Sequence, residues 1–236
     1  MTSATNENTL ILDIGKTNIK LHVLSDEYQS IFSTQMPNSV DHSGIYPSTD
    51  VNKIWLWLCE SIKEISAQYN VTKLTFTTHG ATAALIDRNS DNEDGLVLPV
   101  LDYEFADIYD NCPDYSGVRP NFSDTYSPSL PAGLNLGRQL FWLKQNYEQE
   151  FLKATDILMY PQYWVWRFTG DLSSEITSLG CHTDLWSLQK DGLSSLVDNM
   201  ECRDLFPELK PAWSDCGTVK PALAQQLGLN SECKVF

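Results

Sequence analysis

Basic residues are scarce in this sequence and nowhere run together: 16 Lys and Arg stand against 31 Asp and Glu, a net charge of −15. Nucleic-acid binding draws on clustered cations that neutralise phosphates, so no such partner is expected. Long apolar runs are missing too. The longest, Ile54 to Cys59, falls far below the roughly 20 residues of a membrane helix, and no membrane partner is expected. The cysteines, at 59, 112, 181, 202, 216 and 233, form no Cys-x-x-Cys and are joined by no histidine pair, which argues against structural zinc. A chain of 236 residues is long enough to bury a core without a disulfide framework. Met1 to Asn8 is polar and lacks Lys and Arg, unlike a secretory signal, so a cytoplasmic location is expected. No repeat or low-complexity tract interrupts an ordinary globular composition.

What is present concentrates first in Thr9 to Ser25. Leu10 to Ile14 is an almost continuous apolar run, the pattern of a strand buried on both faces. After a polar turn, Ile19, Leu21 and Val23 alternate with Lys20 and His22. Asp13 ends the first arm, where a carboxylate needs either the hydrogen bonds of a turn or a hydrated cation. Gly15 is expected to give the turn a positive φ and to let a ligand approach the backbone. The amides of Gly15, Lys16, Thr17 and Asn18, with the Thr17 hydroxyl and Lys16 ammonium, suit a phosphate. They suit an ordinary polar turn as well. The stretch is not a P-loop: the glycine required five places before Gly15 is Leu10.

A third strand is predicted over Gln29 to Met36, ended by Pro37-Asn38, so the first three strands form an antiparallel meander. Thr49 or Asp50 caps a helix predicted to reach Tyr69, with Ile54, Leu58, Ile62 and Ile65 on one face. Trp55 and Trp57 cannot both face the core, and an exposed one would mark a contact surface such as a homodimer's. Lys73 to Thr78 is the next strand. The chain then turns at His79-Gly80 and re-enters an apolar strand through Ile86. His79 is a ligand-binding imidazole or an ordinary surface or core one, and Gly80 opens space beside it. Leu96 to Leu101 is read as a strand delivering Asp102 and Tyr103 to its end. That place suits a hydroxyl-rich ligand and equally a solvated loop.

Phe105 to Pro131 shows no period and is long for a structureless connection, which predicts a lid or a partly helical insertion. Helices are predicted from Asn135 or Leu136 to Tyr147, from Pro161 to Phe168, and from Pro221 to Leu227, the last stopped by Gly228. Asp156 to Tyr160 is read as a strand or bridge, and Cys233 to Phe236 as the start of another.

Four of these stretches, in this order and spacing, resemble the N-terminal domain of the FGGY family of carbohydrate kinases, within the actin-like, ribonuclease-H-like superfamily. Asp13-Ile-Gly-Lys-Thr-Asn-Ile-Lys20 is similar to the family's opening hairpin, and Thr78-His-Gly-Ala-Thr82 resembles the His-Gly-Ala-Thr element of pentulose kinases. Leu134 to Leu143 resembles the substrate-side helix ending in Leu-x-Trp-Leu, and Met159 to Asp171 the segment closing on Thr-Gly. The resemblance implies an α/β fold, a ribonuclease-H-like domain whose mixed sheet opens with three antiparallel strands flanked by helices. It implies that residues 1–236 are the sugar-binding half of a two-domain enzyme, with ATP mainly on a C-terminal domain outside this chain.

By the same resemblance, Asp13 would hold Mg²⁺ through water, and Gly15, Lys16 and Thr17 would meet the transferring phosphate. Lys16 stands where the family usually has Thr, either as an added cation or as a side chain in solvent. His79, Asp102 or Tyr103, and Asn135 become candidates for sugar hydroxyl contacts. The implied activity is ATP-dependent phosphorylation of a ketose-type sugar, the general base being an aspartate beyond the strand that Lys234 to Phe236 begins. These 236 residues alone are then expected to be inactive as a kinase yet to bind sugar. The alternative is a non-catalytic sugar-sensing or assembly module of the same fold.

Overall fold

The computed structural model describes residues 7–236. Strands β1 (Asn8–Ile14), β2 (Asn18–Leu24) and β3 (Ser30–Pro37) form the expected antiparallel meander. Leu10, Leu12 and Ile14 of β1 are buried, as are Ile19, Leu21 and Val23 of β2, all on one face of the sheet. Helix α1 (Val51–Ser66) covers that face with Ile54, Leu58, Ile62 and Ile65, and stops short of Tyr69. Of its two candidate caps, Asp50 is the one used, accepting from the Lys53 amide at 2.9 Å. The helix is a crossover, so β4 (Val71–Thr78) returns parallel to β1.

Trp55 and Trp57 are both half-buried against the core. The Trp55 ring lies 4.2 Å from the Arg167 guanidinium and 5.1 Å from the Phe168 ring. The exposed apolar residue of α1 is Leu56, at 64%. Neither Trp55 nor Trp57 is therefore the exposed residue expected to mark a contact surface.

Beyond β4 the chain builds a second apolar cluster beside the first. Strand β5 (Ala83–Ile86) pairs antiparallel with β6 (Asp156–Met159). Ala84, Ile86 and Leu158 join the core under the main sheet, while Ala83, Leu85, Ile157 and Met159 join the second core with helix α2 (Leu136–Asn146). That two-sided burial is why both strands read as unbroken apolar runs. Only Val100–Leu101 of the expected Leu96 to Leu101 strand pairs as strand, with Ser48–Thr49. Leu96 makes an isolated bridge to Ile86, and Pro99 between them has no N–H for a ladder.

Phe105 to Pro131 is partly helical, with single turns at Asp107–Asp110, Tyr115–Val118 and Phe122–Thr125. Buried Ile108 and Tyr115 anchor it in the second core. Asp184, wholly buried, accepts from the Tyr115 hydroxyl at 2.7 Å and from Arg119 Nε at 2.9 Å and Nη2 at 3.0 Å. Helix α3 (Tyr160–Thr169) carries Pro161 in its first turn, within a residue of the expected start, and ends at Gly170, whose φ of 84° needs no Cβ. Helix α4 (Pro221–Leu227), closed by Gly228, leads into β7 (Lys234–Val235), which pairs parallel with β4. The main sheet has the order β7–β4–β1–β2–β3, a mixed sheet in an α/β fold. The ends of β1 and β4 emerge side by side, Ile14 paired with Thr78. No helix among the described residues is long and apolar enough to cross a membrane.

Candidate active site

The β1–β2 turn is fixed by hydrogen bonds rather than by a positive φ. The Gly15 amide donates to the Asn18 carbonyl at 2.9 Å, and its carbonyl accepts from Asn38 Nδ2 at 2.9 Å. Gly15 is absent from the residues with positive φ, contrary to expectation. A Cβ there would lie 2.9 Å from the Asn18 carbonyl oxygen, so crowding is what selects glycine. Its amide is also unavailable to a phosphate. The amides of Lys16 and Thr17 have no acceptor among the described residues.

Asp13 lies in register with Lys20 of β2 and Thr77 of β4, on the face opposite the Leu12 and Ile14 side chains. Its carboxylate makes no hydrogen bond or ion pair with any described residue. His79 follows β4 directly, and its amide donates to the Ile14 carbonyl at 2.8 Å, which sets it beside the hairpin. The imidazole packs 5.4 Å from the Tyr103 ring and 5.3 Å from the Tyr160 ring. Its Nδ1 lies 3.2 Å from the Gly80 carbonyl and 3.2 Å from Thr82 Oγ1. Assigning the proton to Nδ1 satisfies that carbonyl and leaves Nε2 as an acceptor. Burial, with the Lys16 charge adding to it, holds the imidazole below its ordinary value of 6.5, so it is neutral at pH 7.

Asp102 is 7% exposed, and its amide donates to the Pro47 carbonyl at 3.0 Å. Its carboxylate forms an ion pair with Lys16 Nζ, which also lies 3.3 Å from Glu104 Oε2 and 4.9 Å from the centre of the Tyr103 ring. Lys16, His79, Asp102 and Tyr103 therefore stand together.

Asn135 does not join them. It is wholly buried; Oδ1 accepts from the Leu130 amide at 2.8 Å, and Nδ2 donates to the Pro128 and His182 carbonyls at 3.0 and 2.9 Å. Both amide hydrogens are spent on backbone, and none remains for a sugar. One turn further along α2, Gln139 takes the place beside the site. Its Nε2 donates to the Ala81 carbonyl at 2.7 Å and also to Gly133, whose amide donates to the Tyr103 carbonyl at 2.7 Å. Gln139 thus ties the His79 turn to Tyr103. Its signal in the sequence was a glutamine on the apolar face of an amphipathic helix.

A cavity of about 360 Å³ opens beside His79, lined among others by Thr77, Thr82, Tyr160, Gln162 and Glu175. Thr77, the register neighbour of Asp13, is part of that lining, while Asp13 itself lies one strand away from it. The Tyr160 hydroxyl and Gln162 Oε1 are buried without a hydrogen-bond partner. Such atoms are costly in a folded protein unless a ligand or water meets them. Burial pushes the Tyr160 phenol up, keeping it a donor. Sequence reasoning missed both residues, because the Tyr160-Pro161-Gln162 helix start reads as ordinary capping. No group of three or more His, Cys, Asp or Glu among the described residues is placed to hold a metal.

Residues 8–236 match the sequence profile of the FGGY family of carbohydrate kinases, N-terminal domain. L-fuculokinase from Escherichia coli K12 is 24% identical over 238 residues, covering 94% of this chain and 48% of that enzyme. The L-fuculokinase of Salmonella typhi is likewise 24% identical, over 93% of this chain and 48% of its own length. The chain spans about half the length of the curated relatives it matches. Among solved structures, a carbohydrate kinase from Novosphingobium aromaticivorans superposes with a TM-score of 0.90 at 31% identity, covering 98% of this chain and 48% of that one. A gluconate kinase from Lactobacillus acidophilus superposes at 0.84 with 15% identity, covering 98% and 47%, a likeness of fold alone. With the profile matched over nearly its whole length, the chain belongs to the FGGY family of carbohydrate kinases.

Proposed function

We propose that this chain is the sugar-binding half of a kinase that transfers phosphate from ATP, with Mg²⁺, to a hydroxyl of a ketose-type sugar. The observation that carries the reading is one of adjacency. The unpaired Asp13 carboxylate and the open Lys16 and Thr17 amides stand one strand from a polar cavity whose Tyr160 and Gln162 lack partners. Tyr160, Gln162 and a neutral imidazole line the cavity, and a polyol that reached the buried phenol and amide oxygens would satisfy them. The two open amides and Lys16 suit an oxyanion, local relief in a chain of net charge −15.

Asp13 fits Mg²⁺ as this ion is usually held, by one or two carboxylates, with several waters kept and phosphate oxygens completing the shell. Bound there, Mg²⁺ would neutralise charge on the transferring phosphate. Adenine contacts and the general base are assigned to a second domain. The finer fold assignment, ribonuclease-H-like within the actin-like superfamily, is supported by the strand order β7–β4–β1–β2–β3. Six free thiols fit a cytoplasmic setting.

On this reading the 236 residues alone transfer phosphate negligibly, since a missing base typically forfeits on the order of 10²–10⁴ in rate, apart from lost positioning of the nucleotide. Calorimetric titration with a panel of ketopentoses and deoxyketohexoses tests the sugar half. Saturable binding of at least one ketose is expected, weakened about tenfold in Tyr160→Phe, which removes one buried donor. A panel silent across all ketoses would refute the reading.

A further inference from the structure

We propose that Lys16 is a positioning residue coupling the two ends of the site: Asp102 holds its ammonium in the free chain, and a sugar that claims Asp102 releases it to an incoming phosphate. The inference rests on the sugar-kinase reading above and adds to it a link between sugar and phosphate binding. Lys16 belongs to the turn whose amides are open, yet its side chain leaves that turn. The ammonium lies 4.9 Å from the Tyr103 ring centre and pairs with Asp102 and Glu104, which arrive from a strand 86 residues away. One ion pair therefore joins the oxyanion turn to the strand end whose Tyr103 ring packs on His79 at the rim of the cavity.

The chemistry makes that pair exclusive. Asp102 is nearly buried and has two donors, the Lys16 ammonium and the Glu104 amide at 3.3 Å. A carboxylate in that position tolerates the loss of its cation only if other donors replace it. Sugar hydroxyls are such donors, and the Tyr103 ring that Lys16 covers is the one packed against His79. An oxyanion on the Lys16 and Thr17 amides draws the ammonium toward itself by charge-assisted hydrogen bonding. Either ligand alone must open the pair, and the second finds it open. Sugar and oxyanion binding are thus positively coupled, and by linkage each strengthens the other by the same factor. A lysine that merely fastens the Asp102 strand end produces no such coupling.

The test is calorimetry on the 236-residue chain with inorganic tripolyphosphate and Mg²⁺, in the absence and presence of a ketose that binds. Tripolyphosphate is expected to bind on the order of tenfold more tightly with the sugar present. Lys16→Met should still bind sugar while the coupling shrinks below about twofold, and Asp102→Asn, which alters the group the sugar claims, should weaken sugar binding and lose the coupling as well. Amine acetylation of the wild type, read by mass spectrometry, supplies a measurement independent of variant folding. Lys16 should acetylate slowly in the free chain and about tenfold faster with the ketose bound, against unchanged surface lysines. Sugar binding with neither coupling nor increased Lys16 labelling overturns this inference and leaves the kinase reading standing. A chain that binds no ketose removes the parent reading as well.

Discussion

Replacing Asn135 with alanine separates two accounts of that residue, one as a sugar contact and one as a clamp on the loop before α2. The structure gives the clamp three hydrogen bonds, to the Leu130 amide and to the Pro128 and His182 carbonyls, from a side chain with no exposed surface. A neutral buried hydrogen bond contributes about 1 kcal/mol net, which sets an upper figure near 3 kcal/mol for all three. Pro128 and His182 are exposed residues, so water recovers part of that for their carbonyls. The expected loss is about 2–3 kcal/mol. In a chain of this size that corresponds to a Tm lowered by about 4–12 °C. Asn135→Asp is the companion variant: it keeps an acceptor for the Leu130 amide but sets a carboxylate against two carbonyls, and should be no more stable than the alanine variant. Urea unfolding followed by tryptophan fluorescence gives the stability, and ketose titration of the folded variant gives the affinity. Stability within about 0.5 kcal/mol of wild type, together with abolished sugar binding, would refute the clamp and restore the sugar contact.

Asn135 also marks where sequence reasoning stops. An asparagine before a helix is equally good at holding backbone and at meeting hydroxyls, and the choice depends on where Pro128 and His182 arrive in space. Elements written in local periodicity were legible. The β2 alternation, the Pro161 and Pro221 helix starts and the Gly228 stop appear as read, while β1, read as buried on both faces, is fully buried only on the Leu10, Leu12 and Ile14 face. The expected β3 appears within a residue at each end, and even the short β7 was visible in the last residues. Phe105 to Pro131 was not legible in detail, since its turns are held by long-range partners: Tyr115 and Arg119 both reach Asp184, more than 60 residues away. His79, Asp102, Tyr103 and Lys16, which the structure brings together, each sit at a strand end or turn, where a sequence advertises chemistry. Asn38, Gln139 and Tyr160 were missed because their partners are backbone atoms, rings and a cavity that only the tertiary fold assembles.

Two further perturbations probe the packing around the site. Asp184→Asn keeps the volume but leaves the Arg119 guanidinium without its counter-charge beside a buried Tyr115 hydroxyl. A loss of about 3–5 kcal/mol in urea unfolding is expected, and one under about 1 kcal/mol would show that Arg119 reaches water instead. His79 provides the pH dependence. Its folded-state value is held below 6.5, chiefly by burial, while in the unfolded chain it returns to the ordinary 6.5. Between those two values the unfolded chain binds more protons, so this residue's contribution to stability falls as the pH drops through 6.5 and levels off below the folded value. NMR titration of the His79 ring should place its midpoint under 6.5. Lys16→Met, which removes the charge opposing protonation, should move it upward. A wild-type midpoint at or above 6.5 would mean that burial does not govern this imidazole, and the neutral acceptor assigned to Nε2 would lose its basis.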